Sequence, residues 1–359
     1  MKKIIIFCNT YYQLIVAIQM RLTIKRNDKI TVIVTDECKN AESIVQRLKA
    51  VNLFDKVCFM KTKVEKQDVG FGFKISAIYK GVFGFVPNGI DKYDKYDEII
   101  GFNMDLPTHY IFAALLKQNK NIICRKMEEG LLSYNSPSDT SGLLTLIYQI
   151  RSKLKKRNLR DGIRDFYCFN TEMYSGKLSP VAIPKIDNDN IVFKEVLEKV
   201  FSIDKNKNPY VDKIIFLSCV YDFEGENTIG ELETAKKIAE KVGYENLIIK
   251  VHPRDNSLRF EKEGLIVDKN FSIPWEAMCM CKDLSKNILI STLSGSILNI
   301  SGIFSKVPQC YYIYPLCRLE ENSLALHFKS VIEKYLTSNG NVNFENIKIL
   351  YDLDSLDEI

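Results

Sequence analysis

One tryptophan and three histidines are all that this chain of 359 residues holds of those two types. His109, His252 and His327 are too far apart to share a metal-ligand spacing. Ten cysteines are present, but Cys279 and Cys281 are two apart and Cys310 and Cys317 seven apart, so no CxxC pair forms. Most others, including Cys8, Cys58, Cys124, Cys168 and Cys219, lie inside apolar runs, as free thiols of a reducing compartment do. This excludes a zinc knuckle and a dithiol redox centre. No apolar run approaches the ~20 residues that span a bilayer. Met1-Lys2-Lys3 and the run Ile4–Cys8 imitate a signal peptide, but the run stops at Asn9 without a small-residue cleavage site. A buried first strand and a cytoplasmic protein are expected. Basic excess is small, at +5, and no aromatic-basic RNA motif appears, so no nucleic-acid partner is expected. The excess suits small anions or an anionic membrane surface.

What is present is ordinary globular material, 46% hydrophobic and 26% charged. The length implies two domains. In the first half, strand-like runs (3–8, 30–35, 56–60, 98–102, 121–126) alternate with helical ones (11–25, 43–51, 107–118). Asn9 or Thr10 can cap the first helix, and Pro107 opens the third. Residues 62–95, with six scattered glycines and prolines from Gly70 to Gly89, read as an irregular excursion. Residues 151–164 carry seven basic side chains against one acid. They read as a solvated helix face, or as a strip holding the protein on an anionic inner leaflet. The stretch 176–212, with Pro180, Pro184 and Pro209, reads as the connection between domains. Strands at 213–218, 246–251, 265–267, 287–291 and 309–313 follow, with helices at 229–242, 274–281, 296–302 and 323–336. Such alternation implies an α/β fold with parallel strands. Two Rossmann-like domains facing across a cleft make it GT-B-like, divided at 1–185 and 186–359, with ligands at the carboxyl ends of the strands.

Three polar motifs stand where strands should end. Glu128-Glu129-Gly130 follows Ile122–Met127; on extended backbone its two carboxylates point opposite ways, one anchored and one free to take a proton from a hydroxyl. Gly130 permits a tight turn. His252-Pro253 ends the run Leu247–Val251, with Lys250 on the same face as His252 and Arg254 just beyond. A histidine held there can hydrogen-bond a phosphate and, if charged, stabilise its departure. Ser291-Thr292-Leu293-Ser294-Gly295-Ser296 lies between a strand and an apolar helix, where hydroxyls and free N–H groups bind anions. The trio suits moving a sugar off a phosphate. No aspartate-rich metal motif stands in a suitable place, and a single-phosphate leaving group such as CMP needs less neutralisation than a diphosphate. Metal-free catalysis, with no cofactor, is therefore expected.

In this order the motifs resemble those of the bacterial GT-B sialyltransferases and polysialyltransferases, most closely glycosyltransferase family 52. The opening IIIFCNTYYQLIVAI and the segments EEGLLSY and IKVHPRD are also similar to that family. The resemblance implies inverting transfer of sialic acid from CMP-sialic acid to a hydroxyl of a terminal galactose in a surface glycan. Glu129 would be the base, His252 would bind or protonate the departing phosphate, and Ser294 and Ser296 would hold it, with Thr292 a third hydroxyl. Glu128, Gly130, Lys250, Pro253, Arg254, Gly295, Thr10, Gln13 and Asn103 complete the expected substrate-binding set. Some members use an acid shortly before the His-Pro strand, which makes Asp222 or Glu226 a rival base. Homodimer formation is left open. Rival readings are another GT-B enzyme (a glycerophosphate polymerase or a sugar-nucleotide epimerase) and a non-catalytic capsule-assembly partner.

Overall fold

A computed structural model describes residues 1–63, 70–134, 142–224, 227–284, 286–337 and 344–354. The chain divides into two compact units, Met1–Pro184 with Ile191–Ser202, and Lys185–Asn190 with Ile203–Ile359.

The first unit contains strands β1 (Lys3–Cys8), β2 (Lys29–Thr35), β3 (Lys56–Met60), β4 (Glu98–Gly101), β5 (Ile123–Met127), β6 (Ile163–Cys168) and β7 (Ser179–Ala182). They form one sheet in the order β3-β2-β1-β4-β5-β6-β7, every neighbouring pair parallel. The inner strands are apolar on both faces because helices cover both: Ile4, Ile5 and Ile6 of β1 are all fully buried. The helices are α1 (Tyr11–Leu22), α2 (Ala41–Val51), α3 (Phe71–Phe83), α4 (Leu106–Leu115), α5 (Gly142–Lys153) and α6 (Ile191–Phe201). Helix α1 is buried from Tyr12 through Met20, and Thr10 caps it by accepting the Gln13 N–H. Its central place explains why it lacks a polar face.

The second unit contains β8 (Ile214–Leu217), β9 (Leu247–Lys250), β10 (Ile266–Asp268), β11 (Ile288–Ser291), β12 (Gln309–Tyr312) and β13 (Ile347–Ile349). The order is β10-β9-β8-β11-β12-β13, again parallel throughout. Its helices are α7 (Tyr221–Glu224), α8 (Glu231–Val242), α9 (Arg259–Lys262), α10 (Trp275–Cys281), α11 (Gly295–Ile303) and α12 (Ser323–Thr337). Both units are thus Rossmann-like, doubly wound sheets. In each, the strand order reverses direction once, between β1 and β4 and between β8 and β11. At such a switch point the loops diverge to opposite faces and leave a crevice at the carboxyl ends.

Three sequence expectations are corrected. The excursion at 62–95 contains α3, which packs on α4 and α5. Gly84 serves a close contact: it has φ +88°, and a Cβ there would lie 2.3 Å from the backbone of Ala114. Gly84→Ala should therefore cost about 3 kcal/mol or more, read as a lowered urea midpoint. The connection expected over 176–212 contributes β7 and α6 to the first unit, with Pro180 tolerated because β7 is an edge strand.

The basic run at 151–164 is not one solvated helix face. Helix α5 ends at Lys153, and β6 begins at Ile163. Arg151 is 1% exposed and has turned inward. It donates to the carbonyls of Val82 at 2.9 Å, Gly81 at 3.3 Å and Arg157 at 2.6 Å, closing the C-terminal end of α3. Gly81 O also accepts from His109 Nε2 at 3.1 Å. Burial, reinforced by the Arg151 charge, lowers the His109 pKa to about 3. Arg151→Met should destabilise the protein by about 3 kcal/mol, since buried carbonyls lose their donors; chemical denaturation measures it.

Candidate active site

In the first unit the acidic motif divides its work as alternation requires. Glu128 is anchored: Tyr12 and Tyr134 hydroxyls donate to its two oxygens, and the Phe169 N–H donates at 2.8 Å. With its oxygens so used and only 1% exposure, Glu128 is a support for the loop rather than a substrate ligand. Gly130, at φ +76°, makes the turn that follows. Its carbonyl accepts from Ser133 N–H at 3.1 Å, and Ser133 Oγ accepts the Glu129 N–H at 3.1 Å.

Glu129 is half-buried and faces the start of α1. Burial raises its pKa, while the Thr10 and Gln13 side chains pull it part of the way back. Gln13 is fully buried; its Oε1 accepts the Asn9 N–H at 2.7 Å, and its Nε2 reaches no partner in full hydrogen-bond geometry. Thr10 and Gln13 follow β1 and Glu129 follows β5, so the group flanks the end of β4 at the switch point. Sequence reasoning missed Asp105 at that same end. It caps α4, accepting the Thr108 N–H at 3.2 Å and hydroxyl at 2.8 Å, and burial raises its pKa. Its sequence signal, an aspartate before Leu106-Pro107, reads only as a helix start. Asn103 lies between them, exposed, its carbonyl accepting from Thr108 Oγ1 at 3.1 Å.

In the second unit, His252 stands just past β9. Its backbone N–H donates to Ser218 Oγ at 2.8 Å, and its Nδ1 accepts the Arg254 N–H at 3.2 Å. The ring proton therefore sits on Nε2, the nitrogen left to meet a ligand. Burial, with help from the Arg254 charge, lowers the His252 pKa to about 4, against an opposing pull from Asp255. The free protein thus holds a neutral imidazole at pH 7 rather than the charged one the sequence allowed, and Nε2–H is its donor. A bound phosphate favours the charged form, so the His252 pKa should rise on adding CMP. NMR titration of the imidazole tests this; an unchanged pKa contradicts phosphate contact.

The serine turn separates into inward and outward residues. Ser291 Oγ donates to Leu217 O at 2.7 Å, and fully buried Thr292 donates to Glu231 Oε1 at 2.8 Å. Thr292 is therefore not a phosphate ligand. Ser294 caps α11, accepting the Ser296 N–H at 3.3 Å. Gly295 is exposed, and a Cβ there would meet nothing within 4 Å, so the helix N-terminus opens into free space. Half-buried Ser294 and Ser296 border that opening.

Arg259, also missed from sequence, ties these loops together. Its guanidinium donates to Asp222 at 2.5 Å, Glu231 at 2.6 Å and Asp255 at 2.9 Å. Glu231 in turn accepts the Cys219 N–H at 2.8 Å besides Thr292. Arg259 thus braces the loops after β8 and β9 directly, and reaches Thr292 after β11 through Glu231. Burial lifts Glu231 to about 7, with Arg259 opposing. Asp222 is corrected from rival base to clamp member, because its other oxygen accepts the Ile229 N–H at 2.8 Å. Glu226, the second rival, lies outside the described residues. Lys250 is likewise engaged elsewhere, donating to Asp268 at 2.9 Å and Asn270 O at 2.8 Å. Arg254 is exposed and pairs with Glu224 at 2.7 Å, and Pro253 beside it is also on the surface. Among the described residues, no group of three or more His, Cys, Asp or Glu is placed to hold a metal ion.

No curated protein sequence matches the chain. Among solved structures it is similar to an alpha/beta-galactoside alpha-2,3-sialyltransferase from Photobacterium phosphoreum, at 11% identity over 98% of this chain and 100% of that one, TM-score 0.49. It is also similar to a UDP-GlcNAc 2-epimerase from Neisseria meningitidis bound to UDP-GlcNAc, at 14% identity over 94% and 91%, TM-score 0.46. A UDP-GlcNAc 2-epimerase from Methanocaldococcus jannaschii aligns at 16% identity over 96% of each chain, TM-score 0.43. The profile of the family described as Alpha-2,8-polysialyltransferase (POLYST) matches residues 4–314, most of the chain, and the chain belongs to that family of sialyltransferases.

Proposed function

We propose that the protein transfers sialic acid, with inversion, from CMP-sialic acid to a glycan hydroxyl. The observation that carries the reading is that the His252 Nε2–H donor, just after β9, and the open N-terminus of α11, just after β11, stand at the carboxyl ends of the two strands that flank β8. Both are hydrogen-bond donors suited to one phosphate group. The family description favours an α-2,8 linkage onto a preceding sialic acid over the terminal galactose expected from the motifs.

Glu129 takes the proton of the acceptor hydroxyl as its oxygen bonds to the sialyl anomeric carbon. The bond from that carbon to the CMP phosphate oxygen breaks, and the electron pair leaves with CMP. His252 donates Nε2–H to the departing phosphate, with Ser294, Ser296 and the N-terminus of α11 holding the other oxygens. Thr10 and Gln13 orient the Glu129 carboxylate. A monophosphate leaving group places only modest demand on positive charge, so transfer should persist undiminished in EDTA. A loss reversed by added Mg²⁺ contradicts that part of the mechanism.

Donor class is tested by thermal stability. CMP at 100 times its dissociation constant should stabilise the protein by about 2.7 kcal/mol. UDP and CDP-glycerol should give little shift. Stabilisation by UDP alone overturns the reading in favour of an epimerase-type site.

A further inference from the structure

Helix α3 turns large apolar side chains to solvent. Phe71 is 79% exposed, Ile75 53%, Tyr79 63% and Phe83 45%, at four-residue spacing that makes one winding stripe. The opposite face, through Ala77, Gly81 and Val82, is the buried one. Phe85 extends the stripe beyond the helix, and Leu154 past the end of α5 is 52% exposed. Scattered exposed apolar residues need no explanation, but a continuous row does.

The row is framed by cations. Lys80 Nζ lies 5.0 Å from the Phe85 ring centroid, and Lys156 Nζ lies 4.7 Å from that of Phe83. Lys74, Lys153 and Lys155 are exposed on the same two segments. No Asp or Glu occurs in 71–90 or 142–160. We infer that α3 and the turn after α5 form a docking surface for an anionic phospholipid bilayer, aromatic side chains entering the interface and lysines meeting headgroups. A second copy of the same face is disfavoured, since two lysine frames without acids would oppose each other. No helix among the described residues is long and apolar enough to cross a membrane. The inference stands independently of the reaction proposed above.

The test is cosedimentation of the full chain with vesicles of phosphatidylcholine, with and without 30% phosphatidylserine. Wild type should bind the anionic vesicles, weakly the neutral ones, and release at high salt. Combined Ile75→Ser, Tyr79→Ser and Phe83→Ser should weaken binding about tenfold or more. Combined Lys153→Gln, Lys155→Gln and Lys156→Gln should weaken it on the order of 100-fold, at about fivefold per lysine. All six positions are exposed or partly so, and thermal melting of both variants should match wild type. Three results overturn the inference: no binding to anionic vesicles; binding that the serine variant leaves intact, which marks a surface reading charge alone; or a wild-type dimer in ultracentrifugation that the serine variant dissociates.

Discussion

Glu129→Gln lowers the rate of sialyl transfer by about 10²–10⁴-fold while leaving stabilisation by CMP unchanged. The substitution keeps the shape of the side chain and removes the proton acceptor. Its surroundings argue for this role over that of Glu128. Glu128 has each oxygen bonded within the protein and lies fully enclosed, whereas Glu129 is half-buried, with a pKa raised by burial and oriented by Thr10 and Gln13. A carboxylate made more basic, with access to solvent, is placed to accept a proton. Glu128→Gln should instead act through stability, because a tyrosine or the Phe169 N–H loses its acceptor. Near wild-type transfer by Glu129→Gln removes the base assignment; Asp105 is then the carboxyl to replace.

Arg259→Met is expected to destabilise the second unit by about 3–5 kcal/mol and to abolish the CMP-induced shift in melting temperature. The guanidinium is the common partner of Asp222, Glu231 and Asp255, and removing it leaves three neighbouring carboxylates without their cation. The damage should be pH-dependent. Glu231 already has a pKa raised to about 7 with Arg259 present, so the unfolded chain releases that proton more readily than the folded one. Its contribution therefore favours the folded state at low pH and is lost as pH rises from about 4.5 towards 7. Without Arg259 the folded pKa rises further, so the variant should be closest to wild type near pH 5 and furthest above pH 7. Urea denaturation at several pH values measures this, and a loss under 1 kcal/mol at pH 8 removes the clamp from the account. His252 runs the other way: with its pKa lowered to about 4, chiefly by burial, its contribution favours the folded state above about pH 6.5 and is lost as pH falls towards 4.

Strands buried on both faces announce themselves as short β-branched runs, and Ile4–Cys8, Ile30–Thr35 and Leu247–Lys250 were legible for that reason. The positions of all three motifs at strand ends followed. Helix α3 was not legible, because its outward face is apolar and its glycines read as breaks. Strand β6 was hidden by charges at Arg164 and Asp165, and edge strand β7 by Pro180. Within the site, alternation correctly divided Glu128 from Glu129 in direction, yet it could not tell that Lys250 is drawn to Asp268 across β9 and β10. Long-range partners decided the rest. Asp222 and Thr292 looked available in sequence, but Arg259 and Glu231, remote in the chain, occupy them.

The most direct measurement follows CMP release and acceptor elongation together, from CMP-sialic acid with a sialic-acid-terminated oligosaccharide, a lactose acceptor, or neither. The account predicts stoichiometric CMP release and elongation with the sialylated acceptor, little of either without acceptor, and loss of both in His252→Ala. No CMP release with either acceptor, or full activity in His252→Ala, contradicts it.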